Sequence, residues 1–185
     1  IRGLYDVQSK QYTSALNQFD TAVNAESDGK YSEYYKAFYY LNRGVLRAEM
    51  IDFISSIENN VQTLTMDDKG TTRARVRDQV SRTYDYSEAI DDMLAADRLL
   101  PGVPYIYFNL GNLYCLSSKF VESVDSYTKA INVYPYMGDA YFNRGLVLIY
   151  LKDKEKGCID LSRAGELGVS DAYSVISKYC EEEKN

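Results

Sequence analysis

The chain contains no histidine, which removes the usual general base, the Ser/His and Cys/His nucleophile pairs, and every His-ligated metal site. Its three cysteines, Cys115, Cys158 and Cys180, are too few and wrongly spaced for a disulfide-dense scaffold or a CxxC metal site. Long apolar runs are also missing. The longest, LVLIYL at 146–151, falls far short of the roughly 20 residues a membrane span needs. Positive charge is scarce, with 21 Lys and Arg against 27 Asp and Glu and a net charge of -6. A nucleic-acid partner, whose phosphates must be neutralised, is disfavoured. Neither GxxxxGK[ST] nor GxGxxG occurs, so no phosphate loop or cofactor is expected, and the chain reads as not an enzyme.

What remains is an ordinary globular composition, 45% hydrophobic and 26% charged over 185 residues. The chain opens on IRGLYD, which has the character of a helix interior, and is read as a trimmed or processed piece. Nothing in it distinguishes a cytoplasmic from an exported protein.

Self-similarity is strong. Five segments align, YTSALNQFDTAVNA from 12, FISSIENNVQTLTM from 53, YSEAIDDMLAADRL from 86, FVESVDSYTKAINV from 120 and KEKGCIDLSRAGEL from 154, with starts 41, 33, 34 and 34 residues apart. Each carries a small residue (Ala15, Ser56, Ala89, Ser123, Gly157), a usually bulky one four on (Phe19, Asn60, Met93, Tyr127, Leu161) and another small one three further (Ala22, Thr63, Ala96, Ala130, Ala164). That spacing is one stripe of a helix. Twelve residues before each small residue stand Gly3, Gly44, Arg77, Gly111 and Gly145. A helix-interior glycine facing a small residue lets two backbones approach closely, which predicts that these glycines pack one helix of a pair against the next.

Residues 104–137, with Tyr107, Leu110, Gly111, Tyr114, Tyr127, Ala130 and Pro135, resemble the tetratricopeptide repeat, a helix-turn-helix unit of 34 residues, and Pro101 closes the preceding unit in the same way. The resemblance implies an all-α fold, a right-handed superhelical solenoid of antiparallel helix pairs. One array over 1–185 is expected, with units at about 1–30, 33–69, 70–103, 104–137 and 138–170 and a capping helix at 171–183. Two departures stand out. Seven extra residues around Asp28-Gly29 predict a longer loop after the first unit, and the third unit's first helix, TTRARVRDQVSRTY, has Arg77 where a glycine belongs.

In such arrays the first helices line a concave groove, which implies a protein-protein interaction scaffold that takes a peptide or protein segment. Asn42, Arg75, Asn109 and Asn143 occupy equivalent positions along it. A carboxamide offers a donor and an acceptor, and in some family members an asparagine ladder there holds the partner's main chain; the alternative is that these amides tie neighbouring helices together. Beside them stand Tyr105, Phe108, Phe142 and Tyr150 as aromatic surface for the partner, or as packing against the following unit. The family's carboxylate clamp is not matched: Asn112 and Asn143 sit at two of its positions, but Phe108 replaces the first lysine. Arg75 and Arg82 either pair an acidic partner or belong to a solvated helix face.

Cys158 and Cys180 are equidistant from residue 169, inside the turn ELGVSD, and so should sit at one height on facing helices. They are read as two buried small apolar residues, with a disulfide as the alternative in an oxidising compartment. A second functional reading is a regulatory or scaffold domain of a larger chain, acting in cis or by self-association.

Overall fold

A computed structural model describes residues 2–25, 29, 32–60, 64–66, 72–74 and 84–181. The described elements are α1 (Arg2–Asn24), α2 (Ser32–Asn60), β1 (Leu64–Met66), β2 (Thr72–Ala74), α3 (Ser87–Leu99), α4 (Pro104–Leu116), α5 (Phe120–Val133), α6 (Gly138–Tyr150), α7 (Lys154–Glu166) and α8 (Asp171–Tyr179). Each helix packs on the next in sequence, while α4 also touches α2 and α6. This is a helical solenoid in which α2, α4 and α6 form one layer and α3, α5 and α7 the other.

The repeated stripe is the core of the second layer. Met93, Tyr127 and Leu161 are fully buried, and so are Ala96, Ala130 and Ala164. Opposite them the glycines make the close approach predicted above. A Cβ on Gly111 would run into the ring of Tyr127, and one on Gly145 would come within 2.9 Å of the Gly157 carbonyl oxygen. Ser123 donates from Oγ to the Gly111 carbonyl at 2.8 Å, so the small residue across the gap is also a hydrogen-bond donor.

The first two predicted units fold differently. Gly44 does not face Ser56. Its Cβ would meet the Ala89 carbonyl oxygen at 3.0 Å and Asp92 Cβ at 3.1 Å, so α2 pairs with α3, one repeat later in sequence. The described residues thus contain two regular hairpins, α4–α5 and α6–α7, and a third packed pair, α2–α3, flanked by α1 and α8. The predicted pair of helices in 1–30 is the single helix α1, and a continuous α2 replaces the expected break before Phe53.

The reason for the continuous α2 lies seven residues past each glycine. Ser118 and Lys152 there adopt φ of 59° and 68° and turn the chain into the next helix. The equivalent residue in α2 is Ile51, whose branched Cβ disfavours the left-handed region, so the helix runs on. Where the sequence predicts the start of a helix, Thr72–Ala74 pairs antiparallel with Leu64–Met66, Thr65 opposite Arg73. Residues 75–83 of that predicted helix, Arg77 among them, lie outside the described residues.

Ion pairs follow the same repeat. Arg144 holds Asp160 with two bonds of 2.7 and 2.8 Å, and Arg43 holds Asp92 in the equivalent place, joined by Arg47 and Asp20. The hydrogen bonds Arg43 donates to Asp92 raise the Arg43 pKa against the opposing effect of burial. In the middle hairpin the two positions are Leu110 and Ser126, both buried. An aromatic ring accompanies each pair: Arg43 lies over Tyr40 and Arg144 over Tyr141, while at Tyr107, where Leu110 has replaced the arginine, Lys129 of α5 supplies the cation.

Candidate functional site

Helices α4, α6 and α8 begin at one end of the array, each entered through a short connection. PYMG leads into α6 and LGVS into α8, the latter with Gly168 at φ 96°. Between these starts lies an open groove of about 440 Å³. Tyr105 and Phe108 of α4 form one wall, Tyr134 and Tyr136 of the α5–α6 connection another, and Val169 with the α7–α8 turn a third. Tyr136 is 67% exposed and Tyr105 60%. Phe108 is held from behind by the buried Tyr127, centroid to centroid 6.0 Å. Asp139 and Asp171, in the first turns of α6 and α8, are the charged residues lining the groove.

The structure thus brings together two of the sequence-derived candidates, Tyr105 and Phe108, and adds Tyr134, Tyr136, Asp139 and Asp171. A signal for the tyrosines was present: they flank Pro135, which ends the repeat, in a connection too short to bury both rings. Tyr150 is separated from this groove. It sits at the far end of α6 with its ring 4.6 Å from that of Phe120 at the start of α5. Phe142 is half-buried on α6 and does not line the groove. Arg75 and Arg82 lie outside the described residues.

The asparagines divide. Asn42 donates from its amide to the Phe38 carbonyl in its own helix at 2.7 Å. Asn143 donates to Asn112 Oδ1 at 2.9 Å, and the same oxygen accepts the Tyr127 hydroxyl at 2.7 Å, so Asn112 ties α4, α5 and α6 together. Burial of Tyr127 pushes its phenol pKa up, which keeps the hydroxyl a donor to that oxygen. Asn109 is half-buried and makes no side-chain hydrogen bond among the described residues. It follows Phe108 directly on α4, one turn from Tyr105.

Cys158 and Cys180 form a disulfide, Cα to Cα 5.7 Å, where the favoured expectation was a pair of buried free thiols. Both are only half-buried, and the bond fastens α8 to α7. It lies at the opposite end of the α7–α8 hairpin from the turn that lines the groove. Cys115 is free, and burial raises its thiol pKa.

No helix among the described residues is long and apolar enough to cross a membrane, and no group of three or more His, Cys, Asp and Glu among them could hold a metal ion. No protein-family model matches the chain, and no curated protein sequence matches it. Solved structures do. MamA (RS-1, ArsTM double mutant) superimposes with a TM-score of 0.58 at 12% identity, covering 91% of this chain and 72% of that one. The first TPR domain of Spaghetti (RPAP3), bound to the HSP90 peptide SRMEEVD, matches at 24% identity and a TM-score of 0.48, covering 50% of this chain and 75% of that one. These are likenesses of fold.

Proposed function

We propose that this all-α solenoid of tetratricopeptide-repeat type is a non-enzymatic interaction scaffold that holds an extended segment of another protein in the groove at the starts of α4, α6 and α8. The observation that carries the reading is the groove's open form and its exposed tyrosine walls. Rings that present an apolar face and a polar edge, fixed by short connections, are the anchors that dominate peptide and protein interfaces. The unpaired carboxamide of Asn109, just beyond Phe108, offers a donor and an acceptor to a main chain running along α4. Asn42 and Asn143 each use an amide N–H within the array, so Asn109 is the ladder position proposed to meet the main chain first.

Peptides selected on this protein from a random library test the reading. Tyr105→Ala and Tyr136→Ala should each weaken the selected peptides by about tenfold or more. Asn109→Ala should weaken them by about 1 to 3 kcal/mol, all with unchanged melting. Selected peptides that bind these variants as well as the parent protein would place the site elsewhere.

A further inference from the structure

Resting on that reading, we infer that the segment held in the groove is basic, with an arginine or lysine side chain set against the tyrosine rings and paired with Asp139 and Asp171. Three observations lead there. First, the charged groups on the groove wall are both carboxylates, and no lysine or arginine lines it. Four other described aspartates, though not Asp91, Asp97 or Asp125, are matched to internal cations: Asp20 and Asp92 with Arg43, Asp160 with Arg144, Asp153 with Lys156. Asp139 and Asp171 have no such partner among the described residues. A first-turn carboxylate favours its own helix, but helix stability does not explain Asp139 fully. In α2 and α4 the equivalent residue is Phe38 or Tyr105, so the position belongs to the exposed edge of the layer and changes from aromatic to acidic along it.

Second, the chain repeatedly seats a cation on a tyrosine face. Arg43 does so on Tyr40, Lys129 on Tyr107, Arg144 on Tyr141 and Lys178 on Tyr179. Tyr105, Tyr134 and Tyr136 face the groove without one among the described residues. Third, Tyr134 and Tyr136 stand 6.1 Å apart with their planes at 62°, forming a corner instead of a closed stack. A ring face attracts a cation within about 6 Å, and a planar guanidinium stacks on one ring while its edge donates to a carboxylate. A net charge of -6 for the whole chain adds long-range attraction for a basic segment.

The test uses three fluorescein-labelled peptides of one sequence, its arginines retained, exchanged for glutamine, or exchanged for glutamate, read by fluorescence anisotropy against the full chain. The arginine peptide should bind tightest, and its affinity should drop as salt rises to physiological strength and above. Asp139→Asn with Asp171→Asn should cost the arginine peptide roughly five- to tenfold and leave the glutamine peptide unchanged, whereas the charge-keeping Asp139→Glu with Asp171→Glu should retain most of the affinity. If all three peptides bind alike and all are lost with Tyr136→Ala, the groove is a peptide site but the basic partner is wrong. If the glutamate peptide binds tightest, the inference is likewise overturned. Binding that ignores Tyr136→Ala altogether removes the groove reading, and this inference with it.

Discussion

Exchange of the buried ion pair in the α6–α7 hairpin for the pair used in the α4–α5 hairpin is a direct test of how the repeats are built. Arg144 and Asp160 are 18% and 8% exposed at their side chains, and the guanidinium also bonds Thr128 Oγ1 at 2.9 Å. Arg144→Leu alone strands a carboxylate in a buried site and should destabilise by about 3 to 4 kcal/mol. Asp160→Ser alone leaves the guanidinium with Thr128 and the face of Tyr141, so a smaller loss of about 2 kcal/mol is expected. The double variant recreates the Leu110 and Ser126 arrangement and removes both desolvation costs. It should lie within about 1 kcal/mol of the parent, since apolar replacement of a buried pair is often neutral. Urea denaturation followed by circular dichroism reads all four proteins, with equal m-values required for the comparison. Coupling of about 3 kcal/mol or more is predicted, in the range seen for close charge pairs. Additive losses, with the double variant worst of the four, would refute the claim that the two positions act as one exchangeable unit.

Further predictions use other parts of the array. Gly111→Ala should destabilise by about 1 to 3 kcal/mol despite a gain of about 1 kcal/mol in helix propensity, because the Cβ displaces the buried Tyr127 ring. Gly29→Ala, with nothing within 4 Å, should change stability little by the same urea titration. A thiol titration of the denatured protein should find one free thiol, Cys115, and three after reduction. Loss of the 22-residue cross-link through Cys158→Ser with Cys180→Ser should lower stability by roughly 3 kcal/mol. Burial first, and then the 2.9 Å bond to Asp52, raise the Tyr86 phenol from 10.0 to about 12. The folded state therefore holds its proton more tightly than the unfolded chain, and the Tyr86 contribution to stability should be full below pH 10 and fall as pH rises toward about 12. Tyr86→Phe should flatten that part of the stability profile.

The sequence carried the architecture where each helix has one decisive stripe. In α3, α5 and α7 a small, a bulky and a second small residue mark the buried face, and the structure buries those residues. Helix α4 was harder to orient, because PYIYFNLGNLYCL contains no charge to mark an outer face. Its deepest residues are Ile106, Leu110 and Leu113, with Tyr107 and Tyr114 only half-buried beside them. The partner of α2 was misassigned because FISSIENN carries the same small-residue spacing as a true second helix. Two physical signals pointed past it. Ile51 occupies the left-handed turn position, and sixteen residues after Arg43 stands Asn59, whereas sixteen after Arg144 stands its partner Asp160. The aspartate that stands in the place of Asp160 for Arg43 is Asp92, on the stripe of α3. Of the groove, the sequence yielded the α4 wall; Tyr134, Tyr136, Asp139 and Asp171 come from two connections and the helix starts after them, which repeat periodicity does not bring together.

Where a bound segment lies on the array is best measured by amide chemical-shift mapping of the isotopically labelled full chain, titrated with a peptide selected on it. The account predicts that the largest changes fall on Tyr105, Tyr136, Gly138, Gly168 and Val169, around the groove at the starts of α4, α6 and α8, with the exposed face of α5 at Val121 and Asp125 unaffected. Saturable changes confined to that α5 face, with the groove amides unmoved, would contradict it.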